Sequence, residues 1–270
     1  MLGLSRLRPV IVLIHTSKTM RSHPSPSVTT TVPALLDRAV ELHAYVRTLS
    51  PRQLGTVMAL STTLATKVHE QFATWNADPD RQWPAAESFL GDIYSGLQVS
   101  SWVGPDRTYA GKHLRILSGL YGILKPYDGI SPYRLEMGYR LPDSRYANLY
   151  RFWGGAIADQ LPRTGRVVNL AANEYSKVVL DHVDAARVVT PKFLTANPKS
   201  GKPTFVTVHA KIARGAFARW LVTSRPRDSA DGLLAFTELG YQHDPEYSTE
   251  REPCFVCQDF EGKGMSVRLQ

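Results

Sequence analysis

The sequence predicts a mixed α/β (α+β) fold in a single compact domain, on three observations. Short apolar runs of strand length, such as Val10 to Ile14, are interspersed with longer stretches whose apolar residues recur at helical spacing. With 270 residues, 43% of them hydrophobic, the chain can bury one large core or two modest ones. Eighteen Pro and nineteen Gly imply many turns, with no repeat of solenoid length.

Taken in order, residues 1–9 read as an N-terminal extension, and Val10 to Ile14, bounded by Pro9 and His15, as a buried strand. The early Arg residues and this apolar run superficially suggest a signal peptide. The run is short, and no small-residue cleavage site follows it. No segment approaches the roughly 18 apolar residues of a membrane span, so a cytoplasmic protein without a membrane partner is expected. Helices are expected at about 33–49, 51–74, 84–91, 108–124, 148–161 and 210–223, and further strands at 166–171, 186–190 and 204–209. Within 108–124, Leu114, Leu117, Leu120, Tyr121 and Leu124 follow helical spacing, and Lys125-Pro126 stops the helix. Gly119 and Gly122 interrupt it, which calls for a tight turn or a close backbone approach. PCFVCQDF reads as a strand. It would put Cys254 and Cys257 on opposite faces, unsuited to a shared metal or disulfide, and no metal site is expected.

Charge is unevenly placed. From Ala185 to Arg227 there are nine Lys/Arg (Arg187, Lys192, Lys199, Lys202, Lys211, Arg214, Arg219, Arg225 and Arg227) and no acid, whereas Asp228 to Glu261 holds nine acids against Arg251 alone. In AKIARGAFARWL, Lys211, Arg214 and Arg219 fall in one half of a helical wheel, with Ile212, Ala213, Phe217 and Trp220 in the other. Two readings are open: a phosphate-facing helix, or an ordinary charged face that meets the acidic block.

Three polar clusters follow or adjoin apolar segments. His15-Thr16-Ser17-Lys18-Thr19 leaves the first strand where α/β sheets place ligand contacts. Its hydroxyls and Lys suit a phosphate or carboxylate, but the glycine spacing of a P-loop is missing. Tyr133-Arg134-Leu135-Glu136-Met137-Gly138 is either a partly buried Arg–Glu pair or an anion-binding Arg134 with Glu136 orienting the ligand or moving a proton. Asn173-Glu174-Tyr175-Ser176-Lys177 follows the apolar run ending at Ala171. Together Lys18, Asp92, Arg134, Glu136, Glu174, Lys177, Lys211 and Arg214 could line one cleft. Glu136, Lys18 and His15 are the catalytic candidates, His15 as a general acid or base near neutral pH. No cofactor is indicated.

These segments also carry a family likeness. LSGLYGILKP and PYRLEMG resemble the signature of the bacterial YaaA family, which is linked to peroxide stress. The likeness extends to Val12-Leu13-Ile14 with Lys18-Thr19, Gly91 to Leu97, Leu149 to Gly154, Val168 to Ala171 with Glu174-Tyr175, Ala210-Lys211 with Ala213-Arg214-Gly215, and Leu239-Gly240-Tyr241. Where that family usually has Ser-Pro-Ala-Lys-Thr, this chain has His15-Thr16-Ser17 before Lys18-Thr19. The resemblance implies a one-domain YaaA-like fold with a positively charged cleft. It also implies binding of DNA without sequence specificity in the oxidative stress response, through a helix-hairpin-helix element. LSGLYGILKP has the outline of such an element, with Gly119, Gly122 and Lys125 at its turn and end; a helix–helix packing contact is the competing explanation. Lys18, Thr19, Arg134, Lys177, Lys211, Arg214 and Arg219 complete the expected anion contacts. The alternative function is an enzyme acting on a nucleotide, a nucleobase derivative or another small anionic substrate, as in a biosynthetic pathway.

Overall fold

Every residue of Ile11–His15 is buried, the pattern of a strand covered on both faces, and this strand (β1) is the centre of the molecule. In the computed structural model, which describes residues 10–21, 29–78, 81–226 and 230–258, β1 pairs in parallel with two strands. One is β2 (Leu114–Ser118), which turns back antiparallel into β3 (Gly122–Leu124). On the other side lies β4 (Val167–Asn169), followed by β5 (Val188–Val189), giving the order β5-β4-β1-β2-β3. The chain leaves β1 toward β2 and leaves β4 toward β5. The β1/β4 junction is therefore a topological switch point, the place where α/β sheets put their ligand sites.

A second, four-stranded sheet is built from β6 (Lys192–Ala196), β7 (Pro203–Thr204), β8 (Tyr241–His243) and β9 (Cys254–Cys257), in the order β7-β6-β9-β8. The main helices are α1 (Leu36–Val46), α2 (Pro51–Met58), α3 (Thr62–Thr74), α4 (Asp92–Leu97), α5 (Gly104–His113), α6 (Leu149–Trp153), α7 (Asn173–Leu180) and α8 (Thr207–Ser224). One hydrophobic core spans both sheets and the helices, so the mixed α/β single-domain expectation is met. Among the described residues no helix is long and apolar enough to cross a membrane.

Several element boundaries differ from expectation. The helix expected over 51–74 divides at Ala59, which takes a left-handed φ of 50°; Ser50 closes a capping box on α2 and Ser61 caps α3. The segment 148–161 is helical only to Trp153 before tighter turns take over. Residues 204–209 form a strand only through Thr204, because α8 starts at Thr207. The expectation did not include α4, α7 or β6.

The largest correction concerns 108–124. Helix α5 ends at His113, and LSGLYGILKP is a β-hairpin rather than a helix pair. Leu114, Ile116, Leu117, Leu120, Tyr121, Ile123 and Leu124 are all buried. A segment buried on all sides has no single apolar face, so its spacing does not separate helix from strand. The demand on both glycines is met differently. A Cβ on Gly119 would lie 2.3 Å from the Leu135 carbonyl oxygen, and Gly122 takes φ +71° against the Trp153 ring. The Gly119 carbonyl itself accepts from Trp153 Nε1 at 3.0 Å. Both are packing positions, and Lys125 N–H is turned to Asp128 at 2.8 Å. Residues 1–9 and Arg227 lie outside the described residues.

Candidate functional site

At the switch point β1 delivers His15 to the end of the sheet. Its carbonyl accepts from Tyr94 Oη at 3.2 Å, and its Nδ1 accepts from the Ala172 N–H, just before α7, at 3.1 Å. With Nδ1 an acceptor, the ring is neutral and carries its proton on Nε2. Tyr175 stacks on it, centroids 4.8 Å apart. Burial, and then the charges of Arg214 and Lys211, lower its pKa to about 3. His15 therefore stays neutral through the physiological range. Its imidazolium would be desolvated beside two cations, which sets it apart from the ordinary imidazole titrating near pH 7.

The loop after β1 turns Thr16 inward, donating to Tyr175 Oη at 3.4 Å, and Lys18 outward. Lys18 Nζ meets Glu136 Oε2 at 3.1 Å. Glu136 sits in Tyr133–Met137, which passes the end of β2; Ser118 there is joined to Tyr133 Oη at 2.6 Å. Only 8% of Glu136 is exposed, and its Oε2 also accepts from Tyr139 Oη at 2.9 Å. Its other oxygen, Oε1, is buried without a protein partner, and so is Nε of Arg134. The Arg134–Glu136 ion pair considered from sequence is absent among the described residues; the partner of Glu136 is Lys18. Burial, and next the charge of Glu136, push the Tyr139 phenol upward, so it remains a neutral donor. Glu174 closes the near side by accepting from the Gly138 N–H at 2.9 Å.

Helix α8 brings Lys211 and Arg214 toward His15. It can do so because α4 and α8 touch backbone to backbone: a Cβ on Gly96 would lie 2.1 Å from the Ile212 oxygen, and one on Gly215 1.9 Å from the Ile93 oxygen. The helix is consequently not an exposed charged face. Arg214 is only partly exposed, and burial lowers its pKa. Arg219 pairs with Glu238 at 2.5 Å and also bonds Gln98, while Lys192 pairs with Glu252 at 2.6 Å. The reading in which the basic block meets the acidic one is thus realised at these two residues.

A sequence model of the family described as peroxide stress protein YaaA matches residues 10–247. The chain belongs to this family. It is 59% identical to a UPF0246 protein of Salinispora tropica over 96% of this chain and 98% of the relative. UPF0246 proteins of Marinomonas sp. (strain MWYL1) and Shewanella halifaxensis are 40% and 36% identical, over 90% and 92% of this chain and 95% and 98% of theirs. Membership in the YaaA family supports the expected link to peroxide stress.

Of the residues singled out by sequence, this YaaA-family chain gathers His15, Lys18, Arg134, Glu136, Glu174, Lys211 and Arg214 around the carboxyl end of β1. Thr19 pairs across to Leu90, and Asp92 opens α4. Lys177 lies over the Tyr150 ring at 5.8 Å, on the exposed side of α7. Gly119, Gly122 and Arg219 are taken up by structure, and Lys125 is exposed, with its backbone N–H bonded to Asp128. Tyr94, Tyr139 and Tyr175 were not named as site residues, although Tyr175 lies within the Asn173–Lys177 cluster and Tyr139 directly follows Gly138. Cavities of about 280 and 450 Å³ lie instead along α1 and α2, lined in part by Glu41, Tyr45 and Tyr146, and by Arg52 and Arg140. Neither contains the cluster of perturbed, unsatisfied groups, which is the stronger mark of a functional site.

Proposed function

We propose that the protein serves the peroxide stress response by binding, and acting on, a small anionic ligand at the end of β1. The observation that carries this reading is Glu136, a buried carboxylate with one oxygen held by Lys18 and Tyr139 and the other unpaired. A carboxylate so placed is suited to orienting a ligand or accepting a proton from it. Arg134, Lys211 and Arg214 supply positive potential for negative charge on the ligand, and His15 offers a neutral N–H donor from Nε2. Lys18, mostly exposed, acts as an anion clamp at the rim.

A duplex-binding role has less support, because the proposed helix pair is a β-hairpin and Arg219 is occupied by Glu238. Calorimetric titration with a nucleoside monophosphate, inorganic phosphate and duplex DNA at two salt concentrations separates the readings. The expected result is saturable small-anion binding that Lys18→Ala weakens and salt perturbs little. Duplex binding with a log–log salt slope of about −0.9 per phosphate, and no small-anion saturation, would instead establish the DNA reading.

A further inference from the structure

We propose that the ligand of this site is an anion that also carries an N–H donor close to its negative charge, a deepening that rests on the small-anion reading above. In the segment from Tyr133 to Met137, Tyr133, Leu135 and Met137 are buried in the core at 4%, 4% and 0% exposure. Arg134 and Glu136 both act on the Tyr139 phenol, Glu136 as hydrogen-bond acceptor and negative charge and Arg134 as positive charge, so the two lie beside the same group. Each presents one buried polar atom with no protein partner: Nε of Arg134, which can only donate, and Oε1 of Glu136, which as a carboxylate oxygen can only accept. Buried polar atoms without partners are costly, so a pair beside one phenol defines what would complete them.

The complement is an acceptor for Arg134 beside a donor for Glu136. A plain dicarboxylate satisfies the first and sets its own negative charge against the second. The wider charge balance points to an anion all the same. Lys18, Arg134, Lys211 and Arg214 outnumber Glu136 and Glu174, and Glu174 is already engaged by the Gly138 N–H. Two kinds of molecule share the required chemistry: an acidic α-amino acid, whose ammonium flanks a carboxylate, and a nucleoside monophosphate, whose base edge carries N–H groups.

Paired probes test this in the intact protein. Glutamate is compared with glutarate, and adenosine monophosphate with ribose 5-phosphate, by calorimetric titration of the wild type and of Glu136→Gln. In the variant, Lys18 Nζ and Tyr139 Oη are donors that hold the glutamine carbonyl where Oε2 was. Its NH2 then occupies the Oε1 position, so an acceptor becomes a donor. The expected result is that the nitrogen-bearing member of one pair binds the wild type about tenfold or more tightly than its partner, the scale of one hydrogen bond to a charged group. That preference should vanish or reverse in Glu136→Gln, and the pair that shows it identifies the source. Equal affinities within both pairs, or a preference that survives in Glu136→Gln, would overturn the inference while leaving a small-anion site. Failure of all four probes to bind would remove that site as well. The wild-type comparison decides the matter even if the variant does not fold.

Discussion

The two sheets share helix α8 yet gather different kinds of side chain, aromatic rings at one and charged groups at the other. Around β6 and β9 the space is filled by aromatic rings. Phe193 stacks on Phe255 at 5.6 Å, and Phe217 and Phe236 close the cluster at 5.5 and 5.7 Å from Phe255. Two polar contacts sit within it, Thr195 with His209 at 2.9 Å and Cys257 Sγ with the Leu239 carbonyl at 3.3 Å. At the carboxyl end of β1, by contrast, a neutral histidine, a carboxylate and several cations converge, and two buried polar atoms lack partners. A fold tolerates such cost where the surrounding structure is rigid enough to hold it. Helix α8 packs against both the aromatic sheet and β1, and carries Lys211 and Arg214 between them.

The sharpest way to break this comparison is to cut the aromatic core. Phe255→Ala should destabilise the protein by about 3–5 kcal/mol in denaturant unfolding. A loss below 1 kcal/mol would mean that the second sheet is not the stabilising half. A smaller effect is expected from Gly119→Ala, whose added methyl meets the Leu135 carbonyl backbone. A cost of about 1–3 kcal/mol should appear together with weakened binding at Glu136, one residue beyond Leu135. A variant that melts and binds like wild type would show that the hairpin does not position that segment.

Acid sensitivity sharpens the contrast further. The His15 pKa falls from 6.5 to about 3 on folding, so between those values the unfolded chain binds the extra proton. Stability should therefore fall as pH drops from about 6.5 toward 3, by up to about 1.4 kcal/mol per pH unit from this group, and be unaffected by it above that window. His15→Asn, whose Oδ1 can accept from Ala172 in place of Nδ1, should flatten the curve relative to wild type. Burial lowers His209 as well, but it contributes to both proteins alike, so the difference isolates His15. Parallel curves would show that His15 is accessible to protons when folded. The smallest expected effect is none at all. Burial raises the Cys254 thiol to about 11, and Cys257 is fully buried, so neither should react with alkylating agent or dilute peroxide in the native state, as mass spectrometry would record. Rapid native-state modification would place redox chemistry in the sheet described here as inert.

Local signals were legible wherever local physics decides. The run Ile11–His15 could only be a buried strand, the helix start at Pro51 was read although the cap at Ser61 that divides 51–74 was not, and Cys254–Cys257 is a wholly buried apolar run of strand length. The motifs around Lys18, Glu136, Glu174 and Lys211 were recognisable as candidates because polar residues beside apolar runs, and a cationic wheel face, are written in neighbouring positions. Tertiary structure decided the rest. Leu114 to Leu124 became a hairpin because a strand beside β1 buries both its faces and thereby erases the period that distinguishes helix from sheet. Arg219 was lost as an anion contact because Glu238 folds back onto it, and Glu136 found Lys18 rather than Arg134 because two loops distant in sequence meet at one end of the sheet. The chain order alone determines which residues can do chemistry. Which of them face one another depends on contacts between distant segments, set by how the strands are ordered and by how closely the glycines of α4 and α8 let their backbones approach.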